Sequence, residues 1–222
     1  SMTQKPLEEE QIQLFFSDIE PLAASKVLVR LENETLSIGQ RILSQGLQLT
    51  VRGQDKIGII GPNGVGKSTL LAKLHQLLSG KREISLGFMP QDYQETLQFD
   101  LSPVEFLSQT GHKEEIQKIQ SHLASLNFSY PEMHHQIHSL SGGQQGKLLL
   151  LNLVLRKPNF LLLDEPTRNF SPTSQPEIRK LFANYPGGLV TVSHDRRFLK
   201  EVCRSIYRLS ENGLEIVDLQ DL

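Results

Sequence analysis

The chain has 222 residues, 38% hydrophobic and 22% charged, which suits one sizeable core or a core with a small subdomain. A net charge of −2 gives no bulk sign of a nucleic-acid partner, and a single cysteine, Cys203, excludes an intrachain disulfide framework and fits a reducing cytoplasm. No apolar run is long enough to span a bilayer and the first residues lack a signal-peptide pattern, so a membrane role would need another chain.

Residues 1–26 open on Ser1-Met2, which reads as an expression scar, and are acidic at first. They read as a tail or linker end, with Leu14, Phe15 and Phe16 available to dock on the core. From Val27 the pattern is strand-like, in "KVLVRLENETLSIG" and then "LQLTVRGQDKIGII". The segment "STLLAKLHQLLSG" sets Leu70, Leu71, Leu74, Leu77 and Leu78 at helical spacing and stops at Gly80. Strand signals return in "EISLGFMPQ", and residues 102–139 are helical and polar. A leucine-rich helix over about 144–156, a strand 159–163, a helix over about 175–184 and a strand 188–193 follow. Strands alternating with helices predict an α/β fold with a mainly parallel sheet.

The stretch "GIIGPNGVGKSTL" has the spacing G-x-x-x-x-G-K-[ST] between an apolar strand and a helix. Here Gly61, Pro62, Asn63, Gly64, Val65 and Gly66 form a loop whose backbone N–H groups can curl around phosphate oxygens. Lys67 reaches the terminal phosphates, the Ser68 hydroxyl ligates Mg²⁺, and Thr69 completes the helix start. A bound triphosphate is therefore expected. It also gives the adjacent acids of "FLLLDEPT" separate tasks. Asp164, at a strand end, can hold the metal's water shell, and strand alternation aims Glu165 elsewhere, free to polarise an attacking water. In "HSLSGGQQGKLLL", Ser141 and Gln144 form an S-x-x-Q capping box. Such a box does not need Gly142 and Gly143, which suit close contact with an anion, one carried by another domain since this chain already has a phosphate loop.

Phosphate loop, "MPQD", "LSGGQ", "LLLDEPT" and "VSHD" occur in the order seen in ABC-type ATPases, and the chain resembles that family over residues 27–222. The resemblance implies a P-loop NTPase fold: an ABC ATPase core with a mainly parallel sheet, a short antiparallel β subdomain and a helical subdomain carrying the LSGGQ signature. It implies head-to-tail pairing with a second ABC domain, in the same full-length chain or as a homodimer. Each γ-phosphate would then lie between one phosphate loop and the partner's signature helix, Ser141–Gln144 here. Glu165 resembles the catalytic base, His194 the switch histidine, and Gln91 the residue that senses metal and attacking water; Ser68, Gln91 and Asp164 would attend the Mg²⁺.

Only residues 68–90 separate Lys67 from Gln91, and the later motifs read "DEPTRNFSP" and "VSHDRRFL". These features are similar to the ABC-F group, in particular the second domain of members linked to antibiotic resistance. That resemblance implies a soluble two-domain protein acting on the ribosome, with residues 1–26 as the end of the interdomain linker. The alternative is the ATP-binding subunit of a membrane transporter, with a transmembrane subunit as partner. A regulator with negligible turnover fits less well, since Glu165 and His194 are both present.

Two departures stand out. Ile38 occupies the place where relatives stack an aromatic on adenine, so stacking is weaker or supplied otherwise. After "DEPT", Arg168, Asn169, Phe170 and Ser171 replace the common Asn-His-Leu-Asp. The expectation is that Ser171 stands in for a charged interdomain contact and Arg168 supplies compensating charge at that interface. A capping box of Ser174 and Glu177 is expected to open the next helix, with Pro176 in its first turn. The group His134, His135 and His138 lacks a nearby cysteine and reads as a solvated loop rather than a metal site, and Cys203 reads as a packed apolar residue.

Overall fold

The computed structural model describes residues 14–222; residues 1–13, half of the expected tail, lie outside the described residues. Strands β1 (Val27–Ile38) and β2 (Arg41–Arg52) form a separate two-stranded antiparallel sheet. Its register slips around Asn33, which takes the left-handed conformation (φ 50°) that short polar side chains tolerate.

The main sheet comprises β3 (Lys56–Ile60), β4 (Leu86–Met89), β5 (Phe160–Asp164), β6 (Gly188–Val192), β7 (Ser205–Ser210) and β8 (Gly213–Val217). Its order is β4-β5-β6-β3-β7-β8, parallel except for the terminal β7–β8 hairpin. Every residue of β5 and β6 is buried, as expected of parallel strands covered on both faces.

Strand alternation divides the core into two clusters. Ile57, Ile59, Phe160, Leu162, Val190 and Val192 face the β1–β2 sheet and helix α1 (Lys67–Ser79), whose Leu70, Leu71, Leu74 and Leu78 are buried. Leu77, the fifth leucine of the expected stripe, is 41% exposed. Leu161, Leu163, Leu189 and Ile206 face the opposite way, onto the helical side. That side holds α2 (Pro103–Leu107), α3 (Lys113–Ser125), α4 (Tyr130–His134), α5 (Gly142–Leu155), α6 (Gln175–Ala183) and α7 (Arg196–Val202).

Among the described residues, three helices start on complete capping boxes: Ser102 with Glu105, Ser129 with Glu132, and Ser141 with Gln144. The box expected at Ser174 does not form. Ser174 has helical backbone angles and no side-chain cap bond. The Ser171 carbonyl accepts from the N–H groups of both Ser174 and Gln175, so helical winding begins after Ser171, where Pro172 is preset for it. Of the expected docking residues, Leu14 is buried and Phe16 lies against the Phe182 and Tyr185 rings, but Phe15 is 68% exposed. Helix α7 and strands β7 and β8 were not foreseen in the sequence pattern.

Candidate functional site

Strands β3, β5 and β6 end at the same edge of the sheet, and ligands of open α/β sheets collect beyond such strand ends. The loop after β3 needs its glycines. Gly66 has φ +108°, and a Cβ there would sit 3.1 Å from Leu43; a Cβ on Gly61 would lie 2.7 Å from the Leu209 carbonyl oxygen. Lys67 folds back over the loop and donates to the carbonyls of Gly61 (2.5 Å) and Pro62 (3.0 Å). Burial lowers its pKa, while the charges of Glu165 and Asp164 oppose that shift.

At the end of β5, Asp164 accepts a hydrogen bond from Ser68 Oγ at 2.8 Å through Oδ2. Its Oδ1 is buried and has no partner among the described residues. Burial pushes the carboxyl above its ordinary range, against the Ser68 bond. A carboxylate oxygen left over beside a hydroxyl, with Gln91 on the same cavity wall, is a fitting set of hard oxygen donors for Mg²⁺.

Glu165 is not aimed by strand alternation, as the sequence suggested. The strand stops at Asp164 and Glu165 takes a left-handed backbone (φ 50°), its N–H donating to the Val192 carbonyl at 2.8 Å. Its carboxylate accepts from the His194 N–H (3.3 Å) and pairs with His194 Nδ1. An imidazole nitrogen paired with a carboxylate donates its N–H to it, so Nδ1 serves Glu165 and Nε2 is left facing away from it. Asp195, the next residue, caps α7 by accepting from the Phe198 N–H and takes a hydrogen bond from Thr167 Oγ1 at 3.0 Å. This clamp was missed in the sequence, although "DEPT" and "VSHD" contain both halves.

A cavity of about 650 Å³, within the range of small-molecule sites, is lined by Asn63, Gly64, Gly66, Lys67, Ser68, Thr69, Gln91, Asp164, Glu165 and His194. Ile38 and Leu43 give it an aliphatic wall, and Arg168, Gln175 and Asp195 also line it. Pro62 and Val65 instead line a neighbouring cavity with Arg41 and Glu211.

The signature residues are elsewhere. Ser141, Gly143 and Gln144 border a cavity of about 300 Å³ with Ser171 and Ser174. Gln144 Oε1 accepts from the Ser141 N–H at 3.0 Å and its amide nitrogen donates to Glu132, so the boxes opening α4 and α5 are joined. A Cβ on Gly142 or Gly143 would meet no atom of the described residues within 4 Å beyond its own turn of helix. Gly146 is different: a Cβ there would lie 2.8 Å from the Phe170 ring, which seats the turn after Glu165 on α5. Among the histidines, His134 stacks on Tyr130 and His138 contacts Gln136, and the described residues hold no cluster of three or more metal-binding side chains. Cys203 is buried and its thiol is pushed up to about 12.

The fold is shared with solved ATP-binding cassettes. The dimeric post-hydrolysis state of the ATP-binding cassette MJ0796 bound to ADP and Pi aligns with a TM-score of 0.70 at 20% identity, covering 86% of this chain and 98% of that one. A bacterial Atm1-family ABC exporter with ATP bound gives 0.72 at 18%, covering 92% of this chain and 41% of that one. In sequence, the chain is 31% identical over 91% of its length to the probable ATP-binding protein YheS of Escherichia coli K12, of which it covers 33%. It is 32% identical over 95% of its length to the putative ATP-binding protein YdiF of Bacillus subtilis, covering 34% of it. With ABC transporter F family member 2 of Arabidopsis thaliana the identity is 26%, over 96% of this chain and 32% of that protein. The chain thus spans about a third of the length of these curated relatives. The family model described as ABC transporter matches residues 44–168, more than half of the chain, and with the phosphate-loop cavity just described the chain belongs to this family as an ATP-binding domain.

Proposed function

We propose that this chain is the ATP-hydrolysing domain of an ABC-F protein that acts on the ribosome in the cytoplasm, as a translation factor or in ribosomal protection against an antibiotic. The domain runs over residues 27–222, with residues 1–26 ending an interdomain linker. The observation that carries the nucleotide reading is Asp164, held by Ser68 with one buried oxygen to spare, facing the same cavity as Lys67.

Residues 61–69 cradle the phosphates, with Lys67 exchanging its carbonyl partners for phosphate oxygens. Ser68, Asp164 and Gln91 would hold a Mg²⁺, which when bound would supply positive charge to the phosphate oxygens. Glu165 orients and deprotonates the attacking water, and His194 fixes the carboxylate through Nδ1 while Nε2, when it carries a proton, can donate to the terminal phosphate. The second ABC domain is supported by the space around Gly142 and Gly143. Nothing among the described residues requires glycine there, whereas close approach of a partner's nucleotide would.

The ABC-F assignment rests on the short segment between Lys67 and Gln91 and on similarity to relatives that include Arabidopsis ABC-F members. The test is ribosome sedimentation with the full-length protein carrying Glu165→Gln. ATP-dependent co-sedimentation is expected; its absence moves the reading to the transporter alternative.

A further inference from the structure

Arg168 is the cleft residue that none of these roles absorbs. It is exposed, lines the same cavity as Lys67, Gln91, Glu165 and His194, and makes no hydrogen bond or ion pair through its guanidinium with any described residue. The position is built rather than loose. After the left-handed step at Glu165, the Arg168 N–H donates to the Glu165 carbonyl at 3.2 Å and closes a four-residue turn. Thr167, on one side, is buried and tied to Asp195 at 3.0 Å; Phe170, on the other, is seated against Gly146. The long side chain therefore starts from a fixed point beside the acid expected to activate water.

The charge balance of the cavity gives this cation a purpose. Three carboxylates, Asp164, Glu165 and Asp195, line it with Lys67 and Arg168. A triphosphate adds further negative charge to a wall already acidic, and a guanidinium fork can take two phosphate oxygens at once. We propose that Arg168 contacts the terminal phosphate of the nucleotide bound in its own chain's cleft, as a second cation in addition to Lys67, and sets the preference for ATP over ADP. The inference rests on the nucleotide reading above and goes further, since it assigns Arg168 to the chain's own site rather than to the domain interface.

The test is calorimetric titration of this chain with magnesium–ATP and magnesium–ADP in a Glu165→Gln background, at concentrations where sedimentation shows it monomeric. Arg168→Ala should weaken ATP about 10-fold or more and ADP less than about 2-fold, as loss of one charge-assisted contact predicts. Arg168→Lys should recover part of the ATP affinity. Equal loss for both nucleotides, or no change for either, overturns the inference, and the second result returns Arg168 to the interface. Lys67→Ala separates the two levels. If it abolishes binding while Arg168→Ala is silent, the inference falls and the nucleotide site stands; if Lys67→Ala leaves ATP affinity unchanged, the site falls and the inference with it.

Discussion

Asp164→Asn should stabilise the nucleotide-free protein and impair the loaded one. Asp164 is 6% exposed, its Oδ1 has no partner, and burial raises its pKa above the ordinary 3.8. A carboxyl whose folded pKa is raised favours folding while protonated and loses that contribution as pH rises through the folded value, so at neutral pH its charge is a cost. An unsatisfied buried polar atom costs about 1–3 kcal/mol, more when charged. Asparagine keeps an oxygen for the Ser68 hydroxyl and removes the charge. A gain of about 1 kcal/mol is expected, or about 2–4 °C in Tm for a chain of this size. The gain should vanish as pH falls and wild-type Asp164 protonates. Magnesium–ATP at 100 times its Kd adds about 2.7 kcal/mol of stability to the wild type, and the variant should lose most of that at the same concentration. Scanning calorimetry with and without magnesium–ATP reads both effects. A nucleotide-free variant that melts lower, yet gains the wild-type shift from magnesium–ATP, would show that Asp164 is only a structural acid.

Glu165→Gln should keep ATP binding and cut turnover about 100-fold or more, measured as phosphate release, because a general base is lost. Phosphate release by the wild-type chain should rise faster than linearly with protein concentration; strict linearity would mean that Ser141–Gln144 of a partner is not needed. Gly146→Ala places a methyl 2.8 Å from the Phe170 ring and should cost about 1–3 kcal/mol in overpacking, partly offset by about 1 kcal/mol of helix preference. Adding Phe170→Leu should then restore stability in urea denaturation, and no coupling would refute the contact. Lys56 is buried, donates to the Tyr185 carbonyl, and has its pKa lowered by burial from 10.5 to about 8. The unfolded chain therefore binds more protons between those values, so this residue should make stability rise with pH across that window. Lys56→Met should flatten that rise in urea midpoints measured from pH 7.5 to 10.5.

Much of the site was legible because its chemistry is local in sequence. The phosphate loop, Asp164 and the Ser141 box each need particular residue types at fixed short spacing, and the loop follows β3, Asp164 ends β5 and the box opens α5, as the pattern had them. The failures came where spacing underdetermines backbone direction. Ser174 and Glu177 have the same separation as Ser129 and Glu132, yet Pro172 lets the chain wind early and the cap geometry is lost. Glu165 follows a strand, but a left-handed step rather than alternation sets its direction. Helix α7 and strands β7 and β8 are short and only partly buried, so their periodicity is weak; β7 is held by pairing with β3, β8 by pairing with β7, and α7 by the Asp195 cap. Gly146 and Phe170 lie far apart in sequence, and neither residue alone announces the contact.

The main sheet also acts as a partition. On one side, Leu36 and Leu43 of the β1–β2 hairpin back the phosphate loop at Gly66; on the other, Leu148, Leu149 and Leu151 anchor α5 in the helical-side core. Substitutions on opposite sides share few neighbours and should add nearly independently. The phosphate-loop side and the α5 side can therefore be repacked largely separately, apart from the turn after Glu165, where Phe170 rests on Gly146 of α5.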